Sequence, residues 1–247
     1  VNSPVEFQGN EMRRLEGIGM FRGLARVALL LIATAASPVM AQTVMAQNAP
    51  PAAAGDAALD GRALFRGKTC VACHGKDGAK AIQNYPEIAG QEKAYLYNQM
   101  KDIASGARVS GKDERGYPRS QGMKDIMHLV TEPELKAIAD WLATVPLPAP
   151  RKLDPPVTPE TMEAGKKAYT QGGCQTCHGA DGLKPLPTYP LIAGQKREYI
   201  ALQMMELRDG VRTNGKSKLM LPFAKKLSNE QIELIATYLS QIERPKP

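Results

Sequence analysis

Apolar residues keep helical spacing at two matching places along this chain. Leu135, Ile138, Ala139 and Leu142 fall three and four residues apart, and so do Ile232, Ile235, Ala236 and Leu239. Each set predicts an amphipathic helix. Both are preceded by a start signal, Thr131-Glu132-Pro133-Glu134 and Ser228-Asn229-Glu230-Gln231. These read as capping boxes, in which the first and fourth side chains each accept from the other's backbone N–H. A middle helix is expected after Gly90-Gln91 and after Gly194-Gln195, ending near Gly106 and Gly210, where glycine suits a C-terminal cap. A first helix runs up to Cys70 and to Cys174. The second of these starts at Thr158-Pro159-Glu160, with Thr as N-cap and Pro at the first helical position. No alternating stretch is long enough for a useful strand, so the expected fold class is all-α.

One strongly apolar run precedes these elements. Val27 to Ala36 (VALLLIATAA) follows a basic segment from Met12-Arg13-Arg14 to Arg26. It falls short of the ~18 residues that span a bilayer, which excludes an integral membrane bundle. Val39 and Ala41 place small residues at −3 and −1 of a cut after Ala41, with a second cut site after Ala46. Residues 1–41 therefore read as a secretory signal peptide, the competing reading being an uncleaved anchor. Residues 1–11 fit an upstream extension, with Met12 or Met20 as the start. Residues 42–56, which include the Ala- and Pro-rich QNAPPAAAGD, read as a flexible leader.

The rest of the chain is a tandem duplication. Residues 70–108 set against 174–212 are identical at 18 of 39 positions. The matches include Cys70, Cys73 and His74 with Cys174, Cys177 and His178. Tyr85-Pro86 matches Tyr189-Pro190, and Ile88-Ala89-Gly90-Gln91 matches Ile192-Ala193-Gly194-Gln195. Tyr95, Gln99, Met100 and Arg108 match Tyr199, Gln203, Met204 and Arg212. Upstream, Gly61 and Phe65 fall on Gly165 and Tyr169. Beyond Arg108 the first copy carries an insertion, after which Met123 falls on Met220 and Trp141 on Tyr238. The expected domains are residues 57–145 and 158–243, joined by a Pro-rich linker at 146–157. Gly61/Phe65 should pack against Ile138/Trp141, and Gly165/Tyr169 against Ile235/Tyr238, where first and last helices meet.

Composition narrows the chemistry. Glycine and proline make up about one residue in six and aromatics only 5%, so two small domains would have thin cores that a bulky apolar cofactor helps to fill. The net charge is +7, nearly all of it beyond residue 41, because the first 41 residues hold four Arg and three Glu. That suits an acidic protein partner or an anionic surface. No basic block interleaved with aromatics occurs, which argues against nucleic acid.

All four cysteines lie in the two Cys-x-x-Cys-His motifs, the attachment pattern for c-type haem. Two thiols one helical turn apart can add to the two vinyl groups of one porphyrin. The adjacent His74 or His178 is then held under the iron. If two haems are bound, their four propionates offset much of the positive charge. A thioredoxin-like pair lacks its βαβ context here. Zinc would need ligands about 100 residues apart and leave both histidines unexplained.

The sixth iron position separates a carrier from an enzyme, since an open position admits substrate or gas. His128 has no counterpart, because Lys225 aligns with it. Met100 and Met204 sit mid-helix and read as core. Met123 and Met220 precede the final helix in expected loops that can swing a thioether over the haem. They are the favoured ligands, with Met127 the fallback in the first copy. Pro86 and Pro190 are expected to offer carbonyls to the two iron-binding histidines. Arg108 and Arg212 are expected either beside haem propionates or in solvent.

The order Gly-x-x-x-aromatic, Cys-x-x-Cys-His-Gly, Tyr-Pro-x-Ile-Ala-Gly-Gln, Gly-x-Arg, Met and amphipathic helix resembles class I cytochrome c. Two such units in one exported chain resemble the dihaem cytochrome c4 family, over about residues 57–243. This resemblance implies a periplasmic carrier with two covalently attached haems, ligated by His74 and Met123 and by His178 and Met220. It implies redox protein partners, with a quinol-oxidising complex or a dehydrogenase as donor and a haem–copper terminal oxidase as acceptor, and peripheral membrane association. The first copy departs from the compact pattern through its insertion within Val109 to Gly122 (VSGKDERGYPRSQG), which bears on its Met assignment and its partner-facing surface. A rival reading is the cytochrome subunit of a periplasmic dehydrogenase. A haem enzyme in its own right would need an open or Cys-ligated iron, and no spare Cys exists.

Overall fold

The computed structural model describes residues 58–146 and 149–244. The expected signal peptide (1–41) and leader (42–56) lie outside the described residues. The first repeat holds α1 (Gly61–Gly67), α2 (Val71–His74), α3 (Lys93–Ala104), α4 (Gln121–Met127) and α5 (Glu132–Thr144). The second holds α6 (Pro159–Gln171), α7 (Gln175–His178), α8 (Arg197–Arg208), α9 (Leu221–Ala224) and α10 (Asn229–Ser240), with 3-10 segments at Ala180–Gly182 and Gly215–Met220. Among the described residues the one β feature is an isolated bridge, Lys112 with Pro118, inside the insertion.

The helices start and stop where the local chemistry directs. Both capping boxes form, at Thr131/Glu134 before α5 and at Ser228/Gln231 before α10. Thr158 caps α6 through the N–H of Thr161, with Pro159 in the first turn. After α3 and α8 the chain reverses at Gly106 and Gly210, with φ of 76° and 69°, values a side chain rarely adopts. The helix leading to each Cys-x-x-Cys-His is not continuous with it. The chain breaks after Gly67 and again after Gln171, and each motif forms a short helix of its own.

Each repeat packs its first and middle helices against its last. In the first, Phe65, Leu96, Met100, Ile103, Leu135, Ile138 and Leu142 form one cluster, joined by Met127. In the second, Tyr169, Ile200, Met204, Leu227, Ile232, Ile235, Tyr238 and Leu239 do the same. Glycine decides how closely the outer helices cross. A Cβ on Gly61 would lie 2.1 Å from the Ala137 carbonyl oxygen, and one on Gly165 would lie 2.5 Å from that of Leu234. The aromatics close the same corner, with ring centroids 5.2 Å apart for Phe65 and Trp141 and 6.0 Å for Tyr169 and Tyr238.

The two repeats join through reciprocal contacts. Gln91 donates to the Leu191 carbonyl (2.8 Å) and accepts from its N–H (2.7 Å). Gln195 does the same to Glu87, at 2.7 and 3.0 Å. Symmetry breaks one residue later. Glu92 caps α3, whereas its counterpart Lys196 reaches across the interface to the carbonyls of Ala81 (2.6 Å) and Gln83 (2.8 Å). Arg151, from the linker, donates to the same Ala81 carbonyl at 3.0 Å.

The helix crossings yield a stability test. Gly61→Ala or Gly165→Ala should lower the unfolding free energy by about 1–3 kcal/mol, because backbone must move to admit the methyl. Gly67→Ala, whose Cβ meets nothing within 4 Å, should be neutral or slightly stabilising. Equilibrium denaturant unfolding of the three variants measures this.

Candidate haem sites

Each Cys-x-x-Cys-His motif is one helical turn. The His74 N–H bonds the Cys70 carbonyl at 3.0 Å and the His178 N–H bonds that of Cys174 at 3.1 Å, which brings both thiols and the imidazole to one short element. Gly75 and Gly179 follow with φ of 75° and 73°. A Cβ at either would collide with the carbonyl of Lys80 (2.5 Å) or Lys184 (2.3 Å), so these glycines let the next loop fold back over the motif.

The imidazoles are held as an iron would need them. His74 Nδ1 lies 2.9 Å from the Pro86 carbonyl and His178 Nδ1 lies 3.1 Å from that of Pro190. A carbonyl can only accept, so Nδ1 carries the proton and Nε2 keeps its lone pair. Burial lowers the pKa of both histidines, against the opposing pull of the proline carbonyls, and so keeps them neutral. Tyr85 and Tyr189 pack beside the rings at centroid distances of 6.3 Å in each repeat.

The thiols fit thioether attachment better than the alternatives. All four cysteines are free of disulfides. Burial raises the Cys70 thiol and pushes that of Cys174 up to about 11, the reverse of a thioredoxin-type nucleophile. No group of three or more His, Cys, Asp or Glu side chains that could hold a metal ion occurs among the described residues. The donor set of each motif, two thiols and one oriented Nε2, fits one covalently attached haem.

The methionines sit on short helices, not in open loops. Met123 is in α4 and Met220 closes the 3-10 segment Gly215–Met220. Both are half-buried. Met123 packs against the same apolar cluster as Cys70 and Val71. The helical conformation reflects packing of these turns on α3 and α8, an influence no local pattern announces. Met127 is buried in the first core, and its counterpart is Ala224. Met100 and Met204 are core residues of α3 and α8. His128 is exposed.

Arg108 and Arg212 take up contacts that the sequence did not suggest. Arg108 donates to Tyr199 (2.9 Å) and Gln203 (3.2 Å) of the second repeat. Arg212, only 7% exposed, donates to Tyr95 (3.1 Å) and Gln99 (2.9 Å) of the first. Burial raises the Tyr95 hydroxyl's pKa, but the Arg212 and Arg108 guanidiniums outweigh it and the net shift is downward. Tyr95, Gln99, Tyr199 and Gln203 had one signal in the sequence, their identity in both copies at positions with no haem-binding role.

The cytochrome c family profile matches residues 58–146 and 162–243. Cytochrome c4 of Azotobacter vinelandii is 35% identical over 197 residues, covering 76% of this chain and 89% of that protein. The chain belongs to the cytochrome c4 family. The crystal structure of reduced recombinant cytochrome c4 from Pseudomonas stutzeri superposes with a TM-score of 0.62 at 28% identity, over 74% of this chain and 97% of that one. A thiosulfate dehydrogenase electron acceptor of Stutzerimonas stutzeri is 27% identical over 228 residues, covering 89% of this chain and 94% of that protein. As a member of the cytochrome c4 family with two Cys-x-x-Cys-His motifs, the chain carries two covalent c-type haems.

Cys70→Ala combined with Cys73→Ala should therefore leave one covalently bound haem per chain, and Cys174→Ala combined with Cys177→Ala should leave the other. Mass spectrometry of the denatured chain, beside the iron-to-protein ratio, should fall from two haems to one in each case.

Proposed function

We propose that the protein is a periplasmic electron carrier that passes single electrons along a respiratory chain towards a terminal oxidase. The observation that carries this reading is that each repeat holds a neutral, carbonyl-oriented histidine and, at a matching sequence position, a methionine. Each haem iron, when bound, supplies one-electron Fe(III)/Fe(II) chemistry. Every other contribution comes from the chain. Cys70 and Cys73, and Cys174 and Cys177, attach the two porphyrins. His74 and His178 would bind the irons through Nε2, with Nδ1 committed to proline carbonyls. Met123 and Met220 would supply the second protein ligands. Met127 is the weaker choice, because Ala224 at the matching position would leave the second repeat without an equivalent.

With Met123 and Met220 as ligands, neither iron would have a position open to a substrate, which favours a carrier over an enzyme. Thioether ligation raises the potential relative to paired histidines, which favours accepting electrons from a quinol-oxidising complex or a dehydrogenase. No described helix is long and apolar enough to cross a membrane. The net charge of +7 favours an acidic partner or peripheral contact with an anionic surface. A second reading, the electron-accepting subunit of a periplasmic dehydrogenase, draws on the likeness to a thiosulfate dehydrogenase electron acceptor. Co-purification of a catalytic subunit distinguishes it.

The spectrum of the reduced protein should not change on adding carbon monoxide, because both sixth positions are filled. Met220→Ala should open one haem per chain to the gas, and Met123→Ala the other. Rapid binding by the unaltered protein would overturn the carrier reading.

A further inference from the structure

Two acidic side chains at matching positions face across the domain interface. Asp102 lies near the end of α3 and Glu206 near the end of α8, and the repeat offset of 104 places one on the other. Neither belongs to a haem motif. Asp102 accepts from Asn214 Nδ2 of the second repeat at 2.6 Å. Glu206, 5% exposed, accepts from the Gly111 N–H of the first repeat at 2.9 Å. The glycines that follow this logic also match, since Gly111 falls on Gly215. A Cβ on Gly111 would lie 3.3 Å from Glu206 Oε1, and one on Gly215 would lie 3.5 Å from Asp102 Oδ2. Each carboxylate therefore lies against the same point of the opposite repeat.

That point is where each methionine segment begins. Asn214 is the N-cap residue of the 3-10 segment that ends at Met220. It is 4% exposed, and its carbonyl also holds the Ser217 N–H at 2.9 Å. Gly111 opens the insertion that leads to α4 and Met123. The insertion is a closed hairpin. The Arg119 N–H bonds the Gly111 carbonyl at 3.0 Å, and the Ser110 hydroxyl accepts from the Ser120 N–H at 2.8 Å. Ser120 is in turn the N-cap residue of α4. Arg119 lies 3.7 Å from the same Glu206 oxygen, and Gln203 Nε2 holds its other oxygen at 2.9 Å. Both ends of the hairpin thus meet one buried carboxylate of the other domain.

We propose that Asp102 and Glu206 are crossed positioning residues: Asp102 of the first domain holds the segment carrying Met220, and Glu206 of the second holds the segment carrying Met123. Axial ligation at each haem then depends on the opposite domain. This rests on the reading of Met123 and Met220 as ligands. The insertion also finds a role here, because it lengthens the path to Met123 while its base stays fixed on Glu206.

The test is carbon monoxide binding by the reduced, two-haem chain. Asp102→Ala should raise the gas-accessible fraction of the second haem, and Glu206→Ala that of the first, each by about tenfold or more, the scale of losing a hydrogen bond to a charged group. Combination with the methionine variants assigns the haem. Asp102→Ala should add nothing to Met220→Ala but should open the remaining haem of Met123→Ala, and Glu206→Ala should show the opposite pattern. Asp102→Asn, which keeps an acceptor oxygen for Asn214 but not the charge, should fall between the unaltered protein and Asp102→Ala. Glu206→Gln, which keeps one acceptor oxygen where Gly111 and Gln203 now use two, should likewise be milder than Glu206→Ala. If Asp102→Ala fails to retain two haems, Asn214→Ala breaks the same bond from its other end and should give the same result. Opening of the haem in the variant's own domain, or of neither, would overturn the proposal while the ligand reading stands. Failure of Met220→Ala and Met123→Ala to admit the gas would remove that reading and the proposal with it.

Discussion

Two buried amides join the orientation of each histidine to the joining of the domains. Gln195 grips both backbone groups of Glu87, and Gln91 grips both of Leu191. The residues just before these are Pro86 and Pro190, whose carbonyls hold His74 and His178. The carbonyl that fixes one repeat's imidazole is thus one peptide away from a clamp supplied by the other repeat. Each of these four bonds contributes about 0.5–1.5 kcal/mol net of the water bonds it replaces, so together they resist opening of the interface at the place where the histidines need a rigid reference.

Around that clamp the interface is polar and largely paired, although Arg244, which donates to the Ala193 and Ala89 carbonyls, keeps its buried Nη2 without a partner among the described residues. Arg108 and Arg212 meet tyrosine hydroxyls and glutamine oxygens of the opposite repeat. Partners of matched identity arise naturally from a duplication, because any residue on a two-fold contact meets its own counterpart's surroundings. Departures from symmetry then mark where the copies have specialised. Lys196 replaces Glu92 and crosses to the loop after the first motif. The insertion in the first copy is seated on Glu206.

The two apolar cores are small, and each is built on three helices. Glycines at the α1/α5 and α6/α10 crossings let backbones touch, with an aromatic pair filling the corner beside them. This packing sets the first and last helices as a frame. The attachment motifs, as separate single turns, follow the first helix of that frame and pack Cys70, Val71 and Cys174 against the cores.

Features that depend on neighbours a few residues apart were legible in the chain by itself. The capping boxes, the glycine reversals after the middle helices, the thiol spacing and the histidine next to it are all set by geometry within one or two turns. Duplication made them more legible still, since each appeared twice, and it also marked the glycine–aromatic crossing before any contact was known. Tertiary structure alone decided the rest. The short helices that carry Met123 and Met220 form because neighbouring helices pack on them, against weak local preference. Tyr95, Gln99, Tyr199 and Gln203 are repeated in the sequence, but their partners lie about a hundred residues away. Side chains that meet across an interface obey no spacing rule along the chain, so only the folded pair of domains could show that Arg108 and Arg212 bind the opposite repeat.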